Sequence, residues 1–224
     1  MTRLVIFDVD GTLVNSERFI LAAMNGAFEA AGLSAPMAEE TRGIVGLSLP
    51  QAMATLRPDL PGEDHAALVG HYKEAYRRLR DSGAPESETV FFPGALESLD
   101  RLMSSGNVLG VATGKARRGL EHLLEGQGLH ARFAVTQTAD DAPSKPHPGM
   151  VLNCLSATGI AAENAVVIGD TEFDMAMARA AGARALGVAW GFHSRARMER
   201  GGAERIIESF DALDAALDDL WTQV

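Results

Sequence analysis

The sequence predicts an α/β fold, a parallel sheet interrupted by a helical insertion. Three observations carry this expectation. Five short runs rich in apolar and β-branched residues are bounded by Gly or polar residues, as strands buried on both faces are. From residue 93 onward these runs alternate with helical patterns, which predicts right-handed βαβ units. Residues 16–83 break the alternation, carrying helical stripes with no convincing strand between them.

The first strand spans 3–8, where Leu4 to Phe7 run straight into Asp8. Phe19, Ile20, Ala23, Met24, Ala27 and Phe28 then recur at helical spacing up to Gly32. A second stripe, Leu68, Val69, Tyr72, Tyr76 and Leu79, ends near Gly83. The Gly-, Pro- and Ser-containing stretch "RGIVGLSLPQAM" lies between them. The expected organisation is a core of residues 1–15 and 84–224 with a cap of residues 16–83. The hinges fall near Asn15–Ser16 and Ala84–Thr89.

The rest of the core reads as alternating elements. A helix over 94–105 has Pro93 at its start and Gly106 at its end. A strand over 107–112 and a helix over 115–127 follow, then a strand over 133–136. The helix 148–158 runs from Pro148 to Gly159, the strand 165–169 follows, and the helix 173–181 stops at Gly182. A last strand covers 184–188, and a helix over 209–221 closes the core with Ser209 as its expected N-cap.

Composition narrows the function. In 224 residues, 20 Lys and Arg face 30 Asp and Glu, a net charge of −10. A general nucleic-acid binder needs a basic face, so that class is disfavoured, whereas local cations or a metal still accommodate an anionic substrate. The single cysteine, Cys154, sits in an apolar pattern and reads as a core residue. No apolar run approaches the ~18 residues of a membrane span, and no signal-peptide pattern opens the chain. The expectation is a soluble cytoplasmic protein with no nucleic-acid or membrane partner. No interface signal separates a monomer from a homodimer.

Polar clusters sit at the ends of the predicted strands: "DVDGT" at 8–12, "ATGK" at 112–115, "SKPHP" at 144–148 and "GDTEFD" at 169–174. Open α/β sheets bind ligands beyond the carboxyl ends of their strands, so these clusters can converge on one edge. Asp8 and Asp170 are hard oxygen donors suited to Mg²⁺. Thr113 supplies a hydroxyl, Gly114 a backbone N–H at an expected helix start, and Lys145 a point cation. Such a set can clamp a phosphoryl group, with one carboxylate as nucleophile and a second moving the proton.

These four motifs, in this order, resemble those of the haloacid-dehalogenase superfamily. The helical insertion is similar to the cap of its phosphoglycolate-phosphatase and β-phosphoglucomutase branch. The resemblance implies a Rossmann-like core with an inserted helical cap, and a Mg²⁺-dependent phosphatase acting on a small phosphorylated metabolite. 2-Phosphoglycolate is the first substrate to consider. It implies Asp8 as nucleophile and Asp10 as general acid and base. It also implies a metal held by Asp8, the backbone carbonyl of Asp10 and Asp170, with Asp174 as an outer or water-mediated partner. Thr113, Gly114 and Lys145 would bind phosphate, and Arg42 and Gly46 fall where the branch has a specificity loop.

Alternatives stand beside each role. Asp174 and Thr113 also fit helix N-caps, Arg42 also fits a solvated surface, "YRRLR" at 76–80 reads as the polar face of a helix, and "SRARMER" at 194–200 reads as solvated or as lying near the sheet edge. His147 reads as a loop histidine without a catalytic role. Asn15 stands where the branch usually has Asp. A sugar-phosphate mutase, an inorganic pyrophosphatase and a non-catalytic protein of the same fold are the rival functions. Ile20 stands where mutases of the branch carry a functional His, and Thr12 where they usually lack Thr. Asp10 counts against the dehalogenase and phosphonatase branches, which lack an acid there.

Overall fold

The computed structural model describes residues 2–82 and 90–222. Six parallel strands form one sheet in the order β3-β2-β1-β4-β5-β6. They are β1 (Leu4–Phe7), β2 (Val108–Ala112), β3 (Val135–Gln137), β4 (Ala165–Gly169), β5 (Arg184–Val188) and β6 (Arg205–Ile207). The strand order reverses beside β1, between β1 and β4. That switch point opens a crevice at the carboxyl ends, where Asp8 and Asp170 follow their strands directly.

Side-chain alternation divides the core into two layers. Val5 and Phe7 of β1 face Leu99 and Leu102 of α5 (Ala95–Ser104), Leu120 and Leu124 of α6 (Arg117–Gly126), and Leu213 and Leu217 of α10 (Leu213–Thr222). Leu4 and Ile6 point to the other side. There they meet Met150 and Val151 of α7 (Gly149–Thr158), Met175 and Ala178 of α8 (Glu172–Ala180), and Met198 of α9 (Arg195–Gly201). Cys154 is fully buried among them, and burial pushes its thiol up to about 12. No helix among the described residues is long and apolar enough to cross a membrane.

Among the described residues, four helices lie between β1 and α5: α1 (Glu17–Ala30), α2 (Ala38–Ile44), α3 (Leu49–Leu56) and α4 (Gly62–Asp81). They have their own apolar cluster, in which Met24 and Phe28 meet Ile44, Met53 and Leu68. The outgoing chain pairs with the returning chain. Val14 bridges Phe91 in antiparallel sense, and the Asn15 N–H donates to Val90 O at 2.8 Å. The second expected hinge, Ala84–Thr89, lies outside the described residues.

Several boundaries differ from the sequence reading. Helices α2 and α3 occupy much of 38–56, around the "RGIVGLSLPQAM" stretch. The edge strand β6 has only three residues and no apolar run to announce it. β3 starts at Val135, after a 3₁₀ turn over His130–Arg132. The last helix starts at Leu213 after a 3₁₀ turn over Phe210–Ala212, and the Ser209 side chain makes no cap.

Candidate active site

Asp8, Asp170 and Asp174 converge at the switch point, all buried, with carboxylate oxygens within 4.8 Å of one another. The Asp8 N–H continues the sheet by donating to Ile168 O at 2.9 Å, which locks Asp8 against β4. Gly11 turns the chain back with φ +84°, and a Cβ there would collide with the Asp170 carboxylate and the Phe192 ring. Glycine thus meets two demands at once, a left-handed backbone and a close approach.

Each acid is held by identifiable donors. Thr12 Oγ1 donates to Asp170 Oδ1 at 2.9 Å, and the Phe192 N–H donates to Asp170 Oδ2 at 2.7 Å. Thr171 is the N-cap of α8, and its Oγ1 accepts from the Asp174 N–H at 3.2 Å. Asp174 returns the bond, accepting from the Thr171 N–H at 3.1 Å and Oγ1 at 2.5 Å. The N-cap role considered for Asp174 therefore belongs to Thr171. Asp174 is the third helical residue of a capping box. Its other oxygen accepts from Lys145 Nζ at 2.6 Å.

Lys145 is the one cation joined to this cluster among the described residues, and its side chain is fully buried. Nζ also lies 3.0 Å from Asp8 Oδ1, a fully buried ion pair. Burial pushes Asp8 up to about 7 despite the pull of Lys145, with Asp174 and Asp10 adding repulsion. Burial first, then Asp8 and Asp174, also hold Asp170 well above the usual carboxylate range. Burial opposes the charge on Lys145, but Asp174 and Asp8 outweigh it and raise the ammonium above its ordinary value.

Three buried acids share one lysine, and the upward push on Asp8 and Asp170 shows that the pocket resists further negative charge, an arrangement that another cation would relieve. The donors are hard oxygens, and three acids share one lysine. Both features fit Mg²⁺, which binds through one or two carboxylates and keeps its remaining positions for water and phosphate.

The Asp10 side chain takes no part in this triad. Its Oδ2 lies 2.9 Å from Lys115 Nζ, which also donates to the Tyr76 hydroxyl at 3.4 Å, while Asp10 Oδ1 is buried without a partner. Burial would discharge Lys115, but Asp10 and Tyr76 outweigh it and raise its pKa. Lys115 is a site residue that sequence reasoning quoted within "ATGK" without singling it out. Its partner lies 105 positions away, beyond any local pattern.

Thr113 is buried at the end of β2, and its Oγ1 accepts from the Lys115 N–H at 3.3 Å. Helix α6 begins only at Arg117, with Ala116 as its N-cap. Thr113 and Gly114 therefore lie in the preceding loop, not at the helix start. A Cβ on Gly114 would come within 2.7 Å of Gly46 O and 2.8 Å of Leu47 O, so this loop sits directly beneath the segment between α2 and α3.

The two specificity candidates part company. Gly46, at φ +99°, lies against Thr171 and Phe173 at the edge of the site. Next to it, the Ser48 N–H donates to Ser144 Oγ at 2.7 Å. Arg42 is instead engaged by Glu17 at 2.6 Å and Glu39 at 3.4 Å. A different arginine joins the helical insertion to the core. Arg197 donates to Gly43 O at 3.1 Å and to Glu172 at 2.6 Å. Within "SRARMER", read as solvated or near the sheet edge, Arg197 is therefore engaged and not merely solvated.

Comparison with known proteins identifies the family. Residues 5–188 match the haloacid dehalogenase-like hydrolase family. A Dickeya dadantii protein named "Probable phosphatase IndB" is 35% identical over 221 residues, covering 96% of this chain and 94% of that one. "Pyrophosphatase PpaX" of Bacillus pumilus is 33% identical over 187 residues, covering 83% and 82%. A phosphoglycolate phosphatase of Xanthomonas campestris is 32% identical over 191 residues, covering 85% and 84%. The fold, the four strand-end motifs and the match over most of its length together make this chain a member of the haloacid dehalogenase-like hydrolase family.

Proposed function

We propose that this chain is a Mg²⁺-dependent phosphatase that hydrolyses a small phosphate monoester through an aspartyl-phosphate at Asp8. 2-Phosphoglycolate is the first substrate to test. One observation carries the reading: three buried acids, Asp8, Asp170 and Asp174, converge at the switch point with a single lysine joined to them. Asp8 and Asp170, with the Asp10 backbone carbonyl, would hold the ion. When bound, Mg²⁺ supplies charge neutralisation between the acids and the phosphoryl oxygens.

The remaining chemistry belongs to the chain. Thr113, Gly114 and Lys145 bind and orient the phosphoryl group. An Asp8 oxygen attacks phosphorus, forming the acyl-phosphate bond as the ester P–O bond breaks. Asp10 gives its proton to the leaving oxygen. It then takes a proton from the water that attacks phosphorus, and phosphate leaves with Asp8 regenerated. Asp174 holds Lys145 against Asp8, and the segment around Gly46 shields the Gly114 loop from water. A helical cap acting as the cover over the core fits the cluster that α1 to α4 form on their own.

The test is phosphate release from a phosphoester panel with Mg²⁺, including 2-phosphoglycolate, pyrophosphate and sugar phosphates. Asp8→Asn is the control. Selective release that vanishes in the variant supports the reading. Release that survives Asp8→Asn, or phosphate moved between sugar hydroxyls without release, overturns it.

A further inference from the structure

Between β5 and α9 runs a loop, residues 189–194, that lies beyond the residues 5–188 matched by the family and carries none of the four strand-end motifs. It wraps the Asp170 end of β4. The Phe192 N–H donates to Asp170 Oδ2 at 2.7 Å, and the His193 N–H donates to Asp170 O at 3.3 Å. His193 Nδ1 accepts from the Glu172 N–H at 3.1 Å, so the loop also takes up a free donor at the start of α8. At its other end Trp190 Nε1 donates to Thr12 O at 3.1 Å, and the Trp190 ring centroid lies 4.7 Å from that of Phe210. Thr12 in turn holds Asp170 Oδ1 through its Oγ1.

Gly191 lets the loop come this close. A Cβ there would lie 2.2 Å from Asp170 Cβ and 2.3 Å from its Oδ2, nearer than real side-chain atoms come. Asp170 has no room to withdraw, because Gly11 packs against the same carboxylate and Thr12 holds its Oδ1. The acid therefore rests against two glycine backbones, one next to Asp10 in sequence and one on a distant loop. Alanine at 191 must push either the loop or the carboxylate aside, and either shift parts the Phe192 N–H from Oδ2.

We infer that Gly191 and the Phe192 N–H are the positioning device of Asp170, holding its carboxylate in the orientation from which it can bind the cation. The inference rests on the reading of Asp170 as a Mg²⁺ ligand. Mg²⁺ demands near-octahedral geometry, so a ligand carboxylate that is free to rotate binds it less tightly. One donor on each Asp170 oxygen occupies one lone pair of each and fixes the plane of the group, leaving the other lone pairs for a metal. Gly191 and Trp190 are positioning residues, since both act through Asp170 and its partner Thr12.

The experiment is calorimetric titration of the full chain with Mg²⁺, without substrate, for wild type, Gly191→Ala, Trp190→Phe, Asp170→Asn and Leu124→Ala. Melting temperatures without metal are measured beside it. Gly191→Ala is expected to weaken Mg²⁺ binding by about tenfold or more, as loss of a ligand's hydrogen-bond partner does. Trp190→Phe keeps an aromatic ring and loses the bond to Thr12 O, so a loss of about two- to fivefold is expected. It carries the test if Gly191→Ala does not fold. Leu124 is buried in the apolar layer beneath α6, so Leu124→Ala is expected to melt lower with unchanged affinity. Wild-type affinity in Gly191→Ala, or in Trp190→Phe where Gly191→Ala does not fold, overturns the positioning role, and loss of binding in Asp170→Asn then leaves the metal reading standing. An equal loss in Leu124→Ala shows that affinity follows stability alone and also overturns the role. No binding by wild type, or undiminished binding by Asp170→Asn, overturns the metal reading and the inference together.

Discussion

Asp8 and Asp10 stand two residues apart at the end of one strand, in opposite electrostatic surroundings. On the Asp8 side three buried carboxylates share Lys145. On the Asp10 side one carboxylate has Lys115 to itself, with Tyr76 beside it and a cavity in front. The first side lacks positive charge and is closed. The second is balanced and borders space. Strand alternation does not create the difference, because β1 ends at Phe7 and residues two apart in a strand share a face. The chain turns at Gly11, and the Asp10 carboxylate pairs with Lys115 while Asp8 stays with Lys145. On the proposed mechanism this is a division of labour: one side would take up a cation and a phosphoryl group, and the other would handle a proton and a leaving group.

The largest expected effect comes from breaking the Asp8 side. Asp8→Asn should lower phosphate release by roughly 10⁴-fold or more, as loss of a covalent nucleophile does. The same change should stabilise the metal-free protein at neutral pH. Burial raises Asp8 to about 7, so the folded chain holds that proton more tightly than the unfolded chain. Its contribution to stability is present below about pH 4 and is lost as pH rises towards about 7. Thermal melting of the two proteins across that range checks this. Wild type should fall relative to Asp8→Asn, and Mg²⁺ should restore it.

The two lysines sharpen the comparison. Lys145→Met strands Asp8 and Asp174 without their cation and should cost about 3–5 kcal/mol in denaturant unfolding, the range for breaking a buried pair. Lys115→Met should cost less, about 1–2 kcal/mol, because Lys115 and Asp10 keep 12% and 15% of their side-chain surface in solvent. If Lys115→Met destabilised as much as Lys145→Met, the two sides would not differ as described. Smaller again is Arg197→Met, which removes the bonds to Gly43 O and Glu172 at about 28% exposure. Its cost should be about 1 kcal/mol, read as a small drop in Tm.

The core was legible because its strands are short runs of Val, Ile, Leu and Ala ending at Asp8, Thr113 and Asp170, which local pattern exposes directly. β6 was not, because three residues of mixed exposure at a sheet edge leave no periodic trace. Helices α2 and α3 were hidden by Gly43, Gly46 and Pro50, which read as loop. Pro50 in fact sits in the first turn of α3, where its missing N–H is harmless. The roles of Thr12 and Lys115 depend on partners 158 and 105 positions away, a matter of topology and not of spacing. The Arg197 bridge to Gly43 was unreadable for the same reason.

Calorimetric titration with Mg²⁺ of wild type, Asp8→Asn and Asp10→Asn tests the asymmetry most directly. Wild type and Asp10→Asn should bind the ion with similar affinity, and Asp8→Asn should bind it roughly 10–100-fold more weakly. Equal losses in both variants, or no binding by wild type, would contradict the assignment of the cation to the Asp8 side.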